Sequence, residues 1–314
     1  MNIGIDMMGG DFAPEEAVKG VALYNANSSS PAPLTLIGDE VRIAKLMSAA
    51  SCADSSHTLI HAAEVIGMHE HPTRALKEKT TSSISIGFNL LASGKIDAFI
   101  SAGNTGAMLV GAMFSIKAIE GVNRPTIAAY MPRENGKLGL LLDAGINADC
   151  KPENLLQFAL LGSLYAEHIL DIREPRVGLI NIGEEEGKGN LLAQGAYPLL
   201  KENPNIRFIG NIEGRDILLD KADVMVCDGF TGNVVLKLAE SIYDITKRRA
   251  IKDEHFDRFN FETYGGVPVL GVAKPVIIGH GISHATAFAN MIGKAEKMIK
   301  TQLTSKIRDR FVNA

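Results

Sequence analysis

The residues best suited to chemistry stand in short glycine-rich runs, each following a stretch of aliphatic residues. They are Asp6-Met7-Met8-Gly9-Gly10-Asp11, Ser101-Ala102-Gly103-Asn104-Thr105-Gly106, Asp143-Ala144-Gly145-Ile146-Asn147, Asn181 with Gly183-Glu184-Glu185-Glu186-Gly187-Lys188-Gly189, and Asp228-Gly229-Phe230-Thr231-Gly232-Asn233. Glycine lets backbone N–H groups approach an anion closely, and a helix that begins after the run adds a favourable dipole. Such loops suit a phosphate-bearing or phosphate-like substrate. Residues 101–106 show the pattern before an apolar helix from Ala107 to Ile119, and residues 228–233 before a helix starting near Val234. One such run alone reads equally as an ordinary strand-to-helix turn. Five in one chain favour a binding site. None matches the P-loop, and none carries the spaced glycines of the dinucleotide fingerprint.

Between glycines, three carboxylates and Lys188 suit a mobile loop over a charged ligand, with Lys188 neutralising phosphate or a developing oxyanion. The other reading is a solvated charged turn. His280, between Gly279 and Gly281 after an apolar run, is a candidate general base or hydrogen-bond donor, or else a cap for the final helix. The remaining seven histidines fit no metal spacing, and His69 and His71 flank Glu70 in a solvated loop. Cys227 is either a thiol nucleophile or, as buried cysteines more often are, a small hydrophobe.

These loops need a scaffold that presents them together. The runs Ile3–Asp6, Leu34–Ile37, Ala98–Ile100, Leu138–Leu142, Val177–Ile182, Ile206–Ile209, Val224–Val226 and Pro275–Ile278 are apolar without alternation, which predicts strands buried on both faces of a mostly parallel sheet. Between them, Glu153 to Leu170 and Ser283 to Lys300 read as amphipathic helices. The expected fold is a three-layer α/β/α, Rossmann-like domain over residues 1–314, with ligands bound at the strand carboxyl ends. No low-complexity linker divides the chain. Residues 247–263, rich in charge and interleaved with phenylalanine, predict a helical protrusion around 237–263.

With 314 residues, 46% hydrophobic and 22% charged, the chain has the composition of a globular protein rather than a disordered or coiled-coil one. A net charge of −4 argues against general nucleic-acid binding. Three scattered cysteines (Cys52, Cys150, Cys227) fit a reducing compartment, and no apolar run approaches a membrane span. The sequence predicts a cytoplasmic protein, with peripheral membrane contact left open.

Taken together, the loops resemble the phosphate acyltransferases of bacterial phospholipid synthesis, the acyl-[acyl-carrier-protein]–phosphate transacylases. The likeness runs through residues 6–11, 101–106, Leu141-Leu142-Asp143, Asn181 to Gly189, Asp228 to Asn233 and Tyr264-Gly265-Gly266, and spans the chain from Asn2 to at least Ile292. The family usually has Ala where Met7 stands and a Thr-like residue where Cys227 stands. Its basic run is thinned here to Lys77-Glu78-Lys79-Thr80.

The resemblance implies a phosphotransacetylase-like or isopropylmalate dehydrogenase-like architecture and a homodimer. It implies no metal and no redox cofactor. The reaction would convert acylated acyl carrier protein and inorganic phosphate to acyl phosphate and free carrier, feeding glycerol-3-phosphate acylation. Asn104, Thr105 and nearby backbone N–H groups would hold phosphate, with Asp6, Gly9, Gly10, Ser101, Gly103, Gly106, Asp143, Asn181, Gly183, Glu184, Gly187, Asp228, Gly229, Thr231 and Gly232 shaping the site. Lys188 or Asn233 would stabilise the tetrahedral oxyanion, and His280 would orient phosphate or protonate the leaving thiolate.

An acidic carrier needs a basic landing patch. Lys247, Arg248, Arg249 and Lys252 form the densest one, after an apolar face at Leu238, Ile242 and Ile245. With Phe256 and Phe259 the same segment could instead touch anionic lipid, or pack on a dimer mate. A phosphotransacetylase using acyl-coenzyme A is the alternative activity, and an NAD-dependent dehydrogenase a more distant one.

Overall fold

A computed structural model describes residues 1–50 and 57–312. Cys52 lies outside the described residues. The chain begins with β1 (Ile3–Asp6), α1 (Glu15–Asn27), β2 (Leu34–Gly38), α2 (Glu40–Ala49), β3 (Thr58–His61), α3 (Pro72–Glu78), α4 (Ser83–Ala92), β4 (Ala98–Ser101) and α5 (Thr105–Gly111). The middle holds β5 (Thr126–Ile127), β6 (Ala129–Pro132), β7 (Leu138–Leu142), α6 (Pro152–Ile169), β8 (Arg176–Ile180), α7 (Leu191–Glu202), β9 (Arg207–Ile212), β10 (Val224–Val226), α8 (Gly229–Arg248) and α9 (Glu254–Asp257). The chain closes with β11 (Val267–Leu270), β12 (Val276–Ile278), α10 (Ala285–Lys300) and α11 (Leu303–Val312).

These elements form two compact units. The first comprises Met1–Ala118 and Phe261–Thr304, the second Ile119–Asn260 and the chain from Ser305. No linker marks the division in the sequence, because each unit is assembled from two separated stretches of chain. The expected α/β class with mostly parallel sheets is what forms.

In the first unit the strands run β3-β2-β1-β4-β12-β11, parallel except for the β11–β12 pair. Strands β1, β2, β4 and β12 are buried along their whole length, as continuous apolar runs require. The register sets Ile5 beside Ile100 and Ile278 beside Ser101, so β1, β4 and β12 end at one edge.

The second unit repeats the plan with β6-β7-β10-β8-β9, where only β6 is antiparallel. Val226 pairs with both Leu142 and Leu179, which aligns the carboxyl ends of β7, β10 and β8. Helix α6 buries Phe158, Leu161 and Tyr165 among its apolar residues. At the opposite edge, fully buried Arg133 holds Asp220 at 2.8 Å and Asp223 at 2.9 Å, and Arg176 shares both carboxylates. A buried guanidinium persists only when paired in this way.

Candidate active site

In the first unit three expected loops meet at the sheet edge. Gly279 N donates to Ser101 O at 2.8 Å, and Asp11 N to Gly281 O at 2.7 Å. At their centre lies Asp6, 1% exposed, whose Oδ2 accepts from Ser101 Oγ at 2.6 Å and whose Oδ1 accepts from Met8 N at 3.0 Å. Ser101 Oγ in turn accepts from Gly103 N at 2.9 Å. Burial pushes the Asp6 carboxyl above the usual carboxylate range, against the hydrogen bonds from Ser101 and Met8. Gly9 closes this cluster. A Cβ there would fall 2.6 Å from Gly103 N and 2.8 Å from Ser101 Oγ.

The Asn104 side chain is fully engaged by the protein. Its Oδ1 accepts from Ala107 N at 2.9 Å as the N-cap of α5. Its Nδ2 donates to Gly67 O at 2.9 Å and Glu70 O at 3.0 Å, with Met68 O at 3.3 Å. Asn104 therefore fixes the loop through residues 67–70, and its amide is not offered to a ligand. Thr105 beside it is exposed, and neither its N–H nor that of Gly106 has an acceptor among the described residues. Glu70 is held by Gly67 N and by Lys79 of the thinned basic run, at 2.7 and 2.6 Å.

His280 is half-buried with its ring 4.4 Å from that of Phe261. The first turn of α10 is closed by carboxylates, with Ala285 N donating to Glu16 at 2.9 Å and His284 N to Glu262 at 3.0 Å.

In the second unit Asp143 is buried and accepts five hydrogen bonds. Thr126 Oγ1 (2.9 Å) and Ile127 N (3.1 Å) meet Oδ1, while Ile146 N (3.0 Å), Asn147 N (2.5 Å) and Asn147 Nδ2 (3.1 Å) meet Oδ2. It is a hub that shapes its loop. Gly232 packs directly on the Asp143 carbonyl, where no Cβ could fit, and Gly229 N donates to Asn147 O at 2.7 Å. Asp228 caps α8, accepting from Thr231 N at 2.8 Å and Thr231 Oγ1 at 2.9 Å, so this helix begins at Gly229 rather than near Val234. Asn233 is exposed on the first turn, against Gly145. The Cys227 thiol is 3% exposed, and burial pushes it well above its ordinary value. A protonated thiol in that environment is no nucleophile.

The loop at 181–189 is built by its backbone. Asn181 Nδ2 donates to Lys188 O at 3.0 Å, Asn211 Nδ2 to Glu185 O at 2.8 Å, and Gln194 Nε2 to the carbonyls of Gly187 and Gly189. Two carboxylates of the run are neutralised, Glu184 by Lys221 at 2.6 Å and Glu186 by Lys201 at 2.9 Å. Lys188 is exposed and makes no ion pair among the described residues. Glu184, Glu213 and Asp216 have oxygens within 4.8 Å of one another, yet Lys221 also binds Asp216 at 2.8 Å and Arg215 binds Glu213. Cations of the protein already serve those carboxylates.

The Fatty acid synthesis protein family model matches residues 1–306. The chain is 42% identical over 326 residues to the phosphate acyltransferase of Dictyoglomus turgidum, covering 98% of this chain and 96% of that one. It is 43% identical over 332 residues to the phosphate acyltransferase of Acetivibrio thermocellus, covering 100% and 97%. The chain belongs to the phosphate acyltransferase family. Its members are acyltransferases, so the two loop sets belong to an enzyme of that class. A phosphotransacetylase from Streptococcus pyogenes shares the fold, with a TM-score of 0.68, 18% identity and coverage of 96% of this chain and 94% of that one.

Within a phosphate acyltransferase the loops divide the work unevenly. Asp6, Ser101, Asn104, Asp143 and Asp228 bond to protein and give the loops their shape. Thr105, Lys188 and Asn233 are exposed and carry polar groups that are unengaged among the described residues. Sequence reasoning missed Thr126, which no local motif marks because its partner Asp143 is 17 residues away in the chain. It also missed the 67–70 loop as the anchor of Asn104.

The basic patch is exposed at the end of α8. Lys247 is paired with Asp257 at 3.3 Å and lies 5.0 Å from the Tyr243 ring centroid, whereas Arg248, Arg249 and Lys252 make no ion pair among the described residues. Phe259 is 7% exposed and packs with Phe256 around His255. It is a core residue of the tip rather than a lipid anchor. No helix among the described residues is long and apolar enough to cross a membrane.

Proposed function

We propose that this chain transfers the acyl group of an acyl carrier protein thioester to inorganic phosphate, forming acyl phosphate and free carrier. The observation that carries the reading is family membership along nearly the whole chain, which takes in every glycine-rich loop described above. A phosphate oxygen attacks the thioester carbonyl carbon, the tetrahedral oxyanion collapses, the C–S bond breaks and the carrier thiolate takes up a proton. The protein needs to hold phosphate stripped of water and to stabilise the oxyanion.

Each unit supplies its own candidates. The first offers the amides of Thr105 and Gly106, which have no acceptor among the described residues, with the imidazole of His280. The second offers the ammonium of Lys188, which has no ion pair among the described residues, and the exposed amide of Asn233. Arg248, Arg249 and Lys252 supply the positive surface that an acidic carrier protein requires. Peripheral contact with anionic lipid and pairing with a second copy would draw on the same segment, with Leu238 and Ile245 exposed beside it.

The test incubates the purified protein with palmitoyl-acyl carrier protein and inorganic phosphate and traps acyl phosphate as its hydroxamate. Phosphate-dependent hydroxamate with release of carrier is expected. Product from palmitoyl-coenzyme A alone would replace the carrier reading with the phosphotransacetylase one. Lys188→Ala is expected to depress turnover while leaving the unfolding midpoint unchanged, and wild-type turnover would remove Lys188 from the site.

A further inference from the structure

The first unit carries an apolar groove that none of the loops explains. It lies between α3, α4 and the helical stretch from Thr105 to Ile116, with a volume of about 350 Å3. Leu76, Phe88, Val110, Gly111 and Phe114 line it, with Lys77 at its rim. Resting on the acyl-transfer reading above, we propose that this groove receives the fatty acyl chain of the substrate.

The argument begins with the helix itself. Residues four apart share a helix face, so Gly106, Val110 and Phe114 form one stripe running away from the Asn104–Thr105 loop. At Gly106 the stripe touches Pro72 of α3, and beyond that contact the groove opens. At a rise of 1.5 Å per residue, Val110 stands roughly 8 Å and Phe114 roughly 14 Å along the axis from Thr105. A long chain whose carbonyl lay at Thr105 would meet the groove with its middle. An acetyl group would not reach it.

Two features suit the surface to an apolar chain. Gly111 lacks the Cβ that would overlap the Phe88 ring, so the helix sits low against α4 and leaves the aromatic ring as a floor. The turn at Ala112–Ile116 is a π-helical one, and within it Phe114 stands 73% exposed. An aromatic side chain held against water is unfavourable until something apolar covers it. The family to which the chain belongs names fatty acid synthesis, and its relatives transfer acyl groups to phosphate, so the class of chain is that of a fatty acid.

Two variants and two readouts test the proposal. Val110→Trp fills the groove, and Phe114→Ala removes its exposed wall at a position where folding is not at stake. In the first readout, a fluorescent long-chain fatty acid is titrated into each protein, with no turnover involved. Saturable binding to the wild type, weakened about tenfold in both variants, is expected. In the second, hydroxamate formation compares butyryl and palmitoyl carrier thioesters. The KM for palmitoyl is expected to rise about tenfold with butyryl turnover unchanged, and the butyryl rate reports folding.

Wild-type-like binding and chain-length preference in both variants would overturn the groove while leaving the transfer reaction standing. Parallel loss with butyryl and palmitoyl would also overturn it. No product from any thioester, together with groove-dependent fatty acid binding, would overturn the reaction and keep the groove. A wild type that binds no fatty acid and shows no chain-length preference would overturn the groove outright.

Discussion

Replacing Ser101 by alanine tests the buried centre of the first unit. Ser101 Oγ gives Asp6 a 2.6 Å hydrogen bond and receives one from Gly103 N at 2.9 Å, in a cluster shielded from water. A hydrogen bond to a charged group contributes about 1.5–3 kcal/mol, and a buried donor left unsatisfied costs about 1–3 kcal/mol. Where Asp6 is ionised, Ser101→Ala should therefore lower the unfolding free energy by about 3–5 kcal/mol, since no large rearrangement frees Gly103 N.

The pH dependence has a definite sign. Burial raises the folded-state pKa of Asp6 above 3.8, so the folded protein holds that proton more tightly than the unfolded chain. The stability this confers is complete below about 3.8 and is lost as pH rises through the folded value. Ser101 stabilises the carboxylate, so its removal raises the folded pKa further and enlarges the loss. The penalty of Ser101→Ala should shrink on acidification towards the cost of a neutral hydrogen bond, about 1 kcal/mol. Urea unfolding of both proteins at several pH values on either side of neutrality measures this directly. A penalty below about 1 kcal/mol at every pH, or one that grows on acidification, would refute the argument.

Two further outcomes follow from the second unit. Asp143→Ala removes the acceptor of five hydrogen bonds, so it should cost about 3–5 kcal/mol in urea unfolding, with Asp143→Asn costing less because an acceptor remains. The Cys150 thiol is pushed up to about 11 by burial first and the Asp143 charge second, and burial pushes Cys227 well above its ordinary value. Iodoacetamide should therefore alkylate Cys150 slowly near pH 8 and faster as pH approaches 11, with Cys227 unmodified until unfolding. Peptide mass mapping reads both sites, and rapid modification of Cys227 at neutral pH would restore the acyl-enzyme as a mechanism.

Local rules explain how much of the molecule was legible. Strands Ile3–Asp6, Leu138–Leu142 and Val224–Val226 form with the bounds their apolar runs suggest, because strands buried on both faces need unbroken hydrophobicity. Helices α6 and α10 lie within two residues of their expected limits, fixed by proline, polar caps and helical periodicity. The start of α8 was visible as well, in the spacing of Asp228 and Thr231, but Gly229 and Gly232 give the stretch the look of a loop. The short β6 and β11 escaped notice because Pro132 and Pro268 interrupt their patterns.

The sequence alone determined the α/β class, the family and the loops at the strand carboxyl ends, since each depends on residues close together in the chain. Only the tertiary structure decided what the polar side chains in those loops do. Asn104 binds carbonyls 34 to 37 residues away, Ser101 reaches Asp6 across 95 residues, and Thr126 meets Asp143 across 17. Strand order and register bring those partners together, and a run of residues cannot state which of its hydrogen-bonding groups a distant strand will occupy. Division of the chain into two units was hidden for the same reason, because it depends on which stretches pack together rather than on any linker. Lys188 and Thr105 emerged as available groups only once the partners of Glu184, Glu186 and Asn104 had been placed.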